Sequence, residues 1–112
     1  MKKHFLLVSV FFLLTFFSGW SQGKVITFSI EAPQLETSKK IWLYLPQNYE
    51  TSKKKYPLIY MHDAQNLFDA KTSYAGEWHI DETLDSLQAQ VIIVGIEHGN
   101  EKRTEELTPI FK

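Results

Sequence analysis

The chain has 112 residues, with twelve Lys and Arg against thirteen Asp and Glu, and a formal net charge of −1. So even a balance leaves no basic stripe for a nucleic-acid backbone, and no nucleic-acid partner is expected. Cysteine is absent, which excludes disulfides, thiolate metal sites and lipid attachment at an N-terminal Cys.

The first predicted element is a targeting segment. Met1-Lys2-Lys3-His4 is a short basic stretch, and Phe5 to Phe17 is apolar apart from Ser9 and Thr15. Gly19 and Ser21 are small residues at the −3 and −1 positions of a cut after Ser21. This is the three-part layout of a secretory signal peptide. The apolar run falls short of the about 20 residues that span a bilayer, so a permanent membrane span is not expected. Residues 1–21 are therefore expected to be removed near Ser21, with export to the periplasm or the extracellular space. Their loss takes Lys2 and Lys3 but no acidic group, leaving ten basic against thirteen acidic residues and a net charge of −3. Residues 22–112 can form one small domain, without the disulfides that usually staple small exported ones.

Lys24 to Ile30 alternates, Val25, Thr27 and Ser29 against Ile26, Phe28 and Ile30, which predicts a half-buried strand. Glu31 to Ser38 is polar and contains Pro33, hence a turn. Lys39 to Leu45 alternates again, with Ile41, Leu43 and Leu45 on one side and Trp42 and Tyr44 on the other, until Pro46 ends it. Gln47 to Lys55 reads as a solvated loop. Tyr56 to Met61 is continuously apolar, the pattern of a strand covered on both faces, with Pro57 suited to its start. His62 to Gly76 has no period. Glu77 to Ala89 places Trp78, Ile80, Leu84 and Leu87 near helical spacing, with an acidic first turn that suits the helix dipole. Val91 to Ile96 is a second continuously apolar strand, and Glu97 to Lys112 returns to polar loop.

Two alternating strands followed by a strand–helix–strand unit predict an α/β fold. The sheet is mixed, antiparallel in its leading strands and parallel across the crossover. One helix cannot cover both faces of a sheet this apolar. At about 25 cal/mol per Å2, a bare face leaves many kcal/mol of stabilisation unrealised. Residues 22–112 are therefore expected to be the N-terminal portion of a larger domain. The alternative is a small α+β binding module, for carbohydrate, that dimerises over the bare face.

Ligands of open α/β sheets sit at the carboxyl ends of parallel strands, which singles out the loop His62-Asp63-Ala64-Gln65-Asn66-Leu67-Phe68-Asp69. His62 and Asp63 are a base and an orienter by type, but neighbours in extended chain point apart, which favours a hydrogen-bonded loop carboxylate at Asp63. Among His62, Asp63, His79, Asp81, Glu97 and His98 no pair has ligand spacing, and His79 and Asp81 face apart on a helix. Neither a metal nor a cofactor is expected. Trp42, Tyr44, Tyr49, Tyr74 and Trp78 are candidates for a sugar platform, although aromatics on alternating strands usually pack.

The run Tyr56-Pro-Leu-Ile-Tyr-Met-His-Asp-Ala-Gln-Asn-Leu-Phe-Asp69 resembles the start of the Putative esterase family of α/β-hydrolases, with its enterochelin-esterase-like, S-formylglutathione-hydrolase-like and mycolyltransferase-like members. The likeness extends back to Ile41-Trp-Leu-Tyr-Leu-Pro46 with Tyr49. It runs on through Tyr74-Ala-Gly-Glu-Trp78, Val91-Ile-Ile-Val-Gly-Ile-Glu-His-Gly-Asn100 and Arg103-Thr-Glu-Glu-Leu-Thr-Pro109. It implies the N-terminal portion of a serine esterase acting on small-molecule or glycan-linked carboxylic esters. The fold carries its nucleophile in Gly-x-Ser-x-Gly and orders its triad Ser, acid, His. None of Ser29, Ser38, Ser52, Ser73 and Ser86 is flanked by those glycines. All three triad members are thus expected beyond Lys112, which makes His62, His79 and His98 poor candidates for its base and leaves residues 22–112 inactive alone. The likeness also implies one catalytic part within the chain, an oxyanion-hole N–H donated by the Gln65 backbone, with Asp63 and Ala64 shaping the turn. The family often has Gly where this chain has Ala64.

Overall fold

The alternating segments form a hairpin in the computed structural model, which describes residues 22–108. The expected signal peptide lies outside them. Strand β1 (Lys24–Ala32) pairs antiparallel with β2 (Thr37–Leu45) across a 3-10 turn at Pro33–Leu35. Both strands reach two residues further into the turn than their side-chain pattern predicts. The pairs Glu31–Ser38 and Ala32–Thr37 continue the ladder, which needs backbone groups and no apolar side chain. Glu36 closes the turn in the left-handed region at φ 53°.

Strand β3 (Leu58–His62) and strand β4 (Ile92–Ile96) pair parallel, with helix α1 (Ile80–Leu87) between them in the chain. β4 also pairs antiparallel with β2, which gives the order β1-β2-β4-β3. The α/β class and the mixed sheet are as expected. α1 is shorter than the predicted Glu77–Ala89. It begins only after His79, held left-handed at φ 54°, and ends at Gln88, also left-handed at φ 51°.

The register separates two faces. Trp42, Tyr44, Ile93, Gly95 and Met61 share one of them. There Trp42, Tyr44 and Ile93 pack with Ala64, Leu67, Phe68 and Val91, against Ile80 and Leu84 of α1. Tyr44 is 1% exposed and donates its hydroxyl to Asp85 Oδ1 at 2.8 Å. The other face carries Ile26, Phe28 and Ile30, then Ile41 and Leu43, then Val94, then Leu58 and Tyr60. Phe28, Ile30, Leu58 and Tyr60 are exposed there, Tyr60 at 67%. Covering both faces with one helix is thus as unfeasible as the pattern predicts. The expectation that β3 is covered on both sides does not hold. β3 stands at the edge of the described sheet, and its Leu58, Ile59 and Tyr60 are exposed.

The segment after β4 is not simple loop. A 3-10 turn at Asn100–Lys102 leads into the short helix α2 (Arg103–Leu107). Glu106 anchors this helix, binding Lys39 Nζ at 2.5 Å and the Gly99 N–H at 2.9 Å. Those bonds hold its carboxyl below the usual carboxylate range, Lys39 contributing most. Local pattern carries no sign of this, because the helix is fastened by Lys39, 67 residues away.

Candidate functional site

At the carboxyl end of β3 the chain turns at Asp63, which holds φ 57° and ψ 45°. Aspartate is among the few residues other than glycine that adopt this region at modest cost. The strained position is therefore Asp63, and Ala64 follows in a 3-10 turn at Ala64–Asn66. Ala64 needs no glycine-like freedom. It is fully buried against Gly95, where an added Cβ would lie 3.0 Å from the Ala64 methyl.

The first hydrogen bonds of this turn run from Asn66 N–H to Asp63 O at 2.9 Å and from Leu67 N–H to Ala64 O at 3.2 Å. The N–H groups of Ala64 and Gln65 precede the first donor within the turn, as the opening donors of any helix do. The rest of Gln65 is committed. Its side chain, in a residue 9% exposed, forms a fork with the His98 backbone. Nε2 donates to His98 O at 2.9 Å, and His98 N–H donates to Oε1 at 3.2 Å. Its carbonyl accepts Thr72 Oγ1 at 2.7 Å.

Two further ties hold the loop. Arg103 donates Nε to Asp63 Oδ1 at 2.8 Å and a terminal nitrogen to Oδ2 at 2.7 Å, the bidentate geometry of a guanidinium on a carboxylate. This guanidinium holds the Asp63 carboxyl below the ordinary aspartate range. Asn66 accepts Tyr74 N–H on Oδ1 at 2.9 Å and Trp78 N–H on its carbonyl at 2.8 Å. Asp63, Gln65, Asn66, Thr72, Tyr74, His98 and Arg103 together line an open groove of about 550 Å3. Tyr74, 96% exposed, stands at its rim.

Asp63 thus behaves as the hydrogen-bonded loop carboxylate, with Arg103 rather than His62 as partner. Arg103 lies within the matched motif, but its role had no local signal, since its target is 40 residues earlier. The five aromatics weighed as a sugar platform do not gather. Trp42 and Tyr44 are buried in the core, Trp42 stacked on Phe68 with centroids 6.0 Å apart, and Tyr49 packs on Tyr56 instead. One Gly-x-Ser-x-Gly string does occur, at Gly19-Trp20-Ser21-Gln22-Gly23, N-terminal to Ser29. A nucleophile elbow stands on a turn from a strand into a helix. Gly23 instead leads straight into β1, whose next neighbour in the chain is the antiparallel β2, and the expected cut after Ser21 divides the string. Among the described residues no helix is long and apolar enough to cross a membrane.

A mixed sheet with antiparallel leading strands, then a parallel pair joined through a loop that lines a groove and a helix, is the front of an α/β-hydrolase fold. The chain belongs to the Putative esterase family, whose model matches residues 32–109. Among solved structures it is similar to a ferulic acid esterase, at 27% identity and a TM-score of 0.52, over 67% of this chain and 31% of that one. It is also similar to an IroE-like serine hydrolase from Shewanella oneidensis, at 25% identity and a TM-score of 0.55, over 71% of this chain and 25% of that one. The chain thus spans under a third of either structure. A search of the curated proteins returned no match.

Proposed function

We propose that this chain is the N-terminal portion of an exported serine esterase that hydrolyses carboxylic esters of small-molecule or glycan-linked substrates. In this reading the Gln65 backbone N–H is one donor of the oxyanion hole. When a serine attacks the ester carbonyl, negative charge collects on the carbonyl oxygen. A pre-positioned N–H stabilises that charge without reorganising, and one such donor is worth about 3–4 kcal/mol. The observation that carries the reading is the state of Gln65. Its side chain and carbonyl are bonded while its N–H opens a 3-10 turn beside the groove. Family membership and the esterase names of the similar structures support the reaction class. The layout of residues 1–21 supports export, which predicts a secreted form beginning at Gln22.

In the same reading the triad lies on sequence beyond residues 22–112. Purified residues 22–112 should not turn over p-nitrophenyl acetate above buffer. A longer polypeptide that includes a Gly-x-Ser-x-Gly turn should do so. In it, Gln65→Pro, which deletes the N–H at a first-turn position where proline is tolerated, should lower kcat about 100-fold or more with KM little changed. Full activity of a folded Gln65→Pro variant would refute the donor. Turnover by residues 22–112 that survives replacement of every serine would refute the triad argument.

A further inference from the structure

We infer that Asp81 and Asp85 form a binding site for the chain's own α-ammonium group, the one that cleavage after Ser21 creates at Gln22. This site rests on the export reading above and is independent of the esterase chemistry. The start of β1 is laid against it. Gly23 N–H donates to Asp85 Oδ1 at 2.8 Å, and the Tyr44 hydroxyl donates to the same oxygen at 2.8 Å. A Cβ at Gly23 would lie 2.5 Å from the Tyr44 ring, so the backbone there rests directly on the ring. One residue separates the Gln22 nitrogen from Gly23 N. Backbone dimensions put it within about 4 Å of that nitrogen, and hence within about 7 Å of Asp85 Oδ1.

Asp81 lacks a partner. Its Oδ1 is sealed from solvent without a hydrogen bond, the one such side-chain atom among the described residues. A carboxylate oxygen withdrawn from water requires a donor or a counter-charge. Asp81 and Asp85 stand four residues apart in α1 and so share a face. Both carboxylates act on the Tyr44 hydroxyl, which places them around the spot where Gly23 is bound. No ion pair among the described residues involves either of them. Burial holds the Asp81 carboxyl above the usual aspartate range, as expected of an acid group without a cation. An ammonium offers three donors and a full charge, where the same nitrogen in an uncut chain offers one neutral N–H. The other charged groups around are engaged elsewhere. Lys24 and Glu50, which line a cavity with Gln22, pair with each other at 3.5 Å, and Glu82 pairs with His79 at 2.9 Å. The helix N-terminus opposes a cation with about half an elementary charge, less than two carboxylates provide. Cleavage would thus fasten the start of β1 to α1, in a chain with no disulfide to do so.

The test uses the secreted form, with its first residue read by N-terminal sequencing, and follows acetylation of the Gln22 amine against pH by peptide mass mapping. The amine should titrate above the about 7.7–8.0 of an ordinary α-amino group. At pH about 7 it should react at least about threefold more slowly than the same amine in a free peptide, because pairing keeps it protonated. Asp81→Asn combined with Asp85→Asn should abolish the difference, while the asparagine Oδ1 at position 85 still accepts from Gly23 and Tyr44. Glu50→Gln should leave it unchanged. Since the folded value is raised, the stability gained is present below about pH 7.7 and is lost as pH rises through the folded value. An ordinary titration in the native secreted form would overturn the inference, whether or not the variants fold. So would slow reaction that Glu50→Gln abolishes and the double aspartate variant does not. Closure of Gln22 to pyroglutamate as fast as in a free peptide would also overturn it. In that step the amine nitrogen attacks the side-chain amide carbon and ammonia leaves, which requires an unpaired amine. A secreted form that begins at another residue would overturn the cut after Ser21 along with the site.

Discussion

Replacing Gln65 with Leu removes both arms of the fork that fastens the 3-10 turn to the segment after β4, while keeping the bulk of the side chain. In the native chain the His98 carbonyl accepts Nε2 at 2.9 Å and the His98 N–H donates to Oε1 at 3.2 Å. Leucine leaves both backbone groups without partners. Each orphaned buried group costs about 1–3 kcal/mol, and because His98 is half-buried, the low end applies to each. The expected loss is about 2–3 kcal/mol, a large share of the about 5–15 kcal/mol typical of a domain. Gln65→Glu should cost a similar amount at neutral pH, since a second acceptor then faces the His98 carbonyl. The assay is urea unfolding of the purified chain followed by tryptophan fluorescence, with amide hydrogen exchange at His98. The midpoint should fall and the His98 amide should lose protection. A change below about 0.5 kcal/mol with His98 protection intact would refute the anchoring role.

Two pH effects follow from the same geometry. Burial first, and then the bond to Asp85, push the Tyr44 hydroxyl well above the ordinary tyrosine value. That contribution to stability is present below about pH 10 and is lost as pH rises further. Tyr44→Phe should cost about 1.5 kcal/mol at neutral pH and flatten the alkaline limb of a stability–pH curve. An alkaline limb unchanged in the variant would count against the assignment. Asp63 is the opposite case, its carboxyl held low by Arg103. Its contribution is present above about pH 4 and is lost as pH falls through the folded value. Arg103→Met should remove that part of the acid dependence, read from unfolding midpoints between pH 2 and 6, and superimposable acid limbs would contradict it.

Much of the fold was legible because it is written in neighbours. Alternation at period two marks β1 and β2, continuous apolar runs mark β3 and β4, and the spacing of Ile80 and Leu84 marks α1. The motif from Tyr56 to Asp69 pointed to the loop that the structure ties to His98, Thr72, Tyr74 and Arg103. What stayed hidden depends on distant partners. Nothing near Arg103 says that it returns to Asp63, nothing near Glu106 says that it meets Lys39, and nothing near Gln65 says that its amide reads the His98 backbone. His79 was misplaced because helical spacing continues through Trp78, whereas the hydrogen bonds to Asn66 and Leu67 hold that stretch off the helix.

By itself, then, the sequence determined the four strands and α1, their α/β order and the family. These rest on local periodicity and on a motif whose residues are contiguous. The tertiary structure decided which face of the sheet is covered, that β4 lies between β2 and β3, and that Asp63 rather than Ala64 takes the strained turn. It also committed the Gln65 side chain to scaffolding. Those outcomes come from contacts between residues 33 to 67 positions apart, which only the closed sheet brings within hydrogen-bond reach.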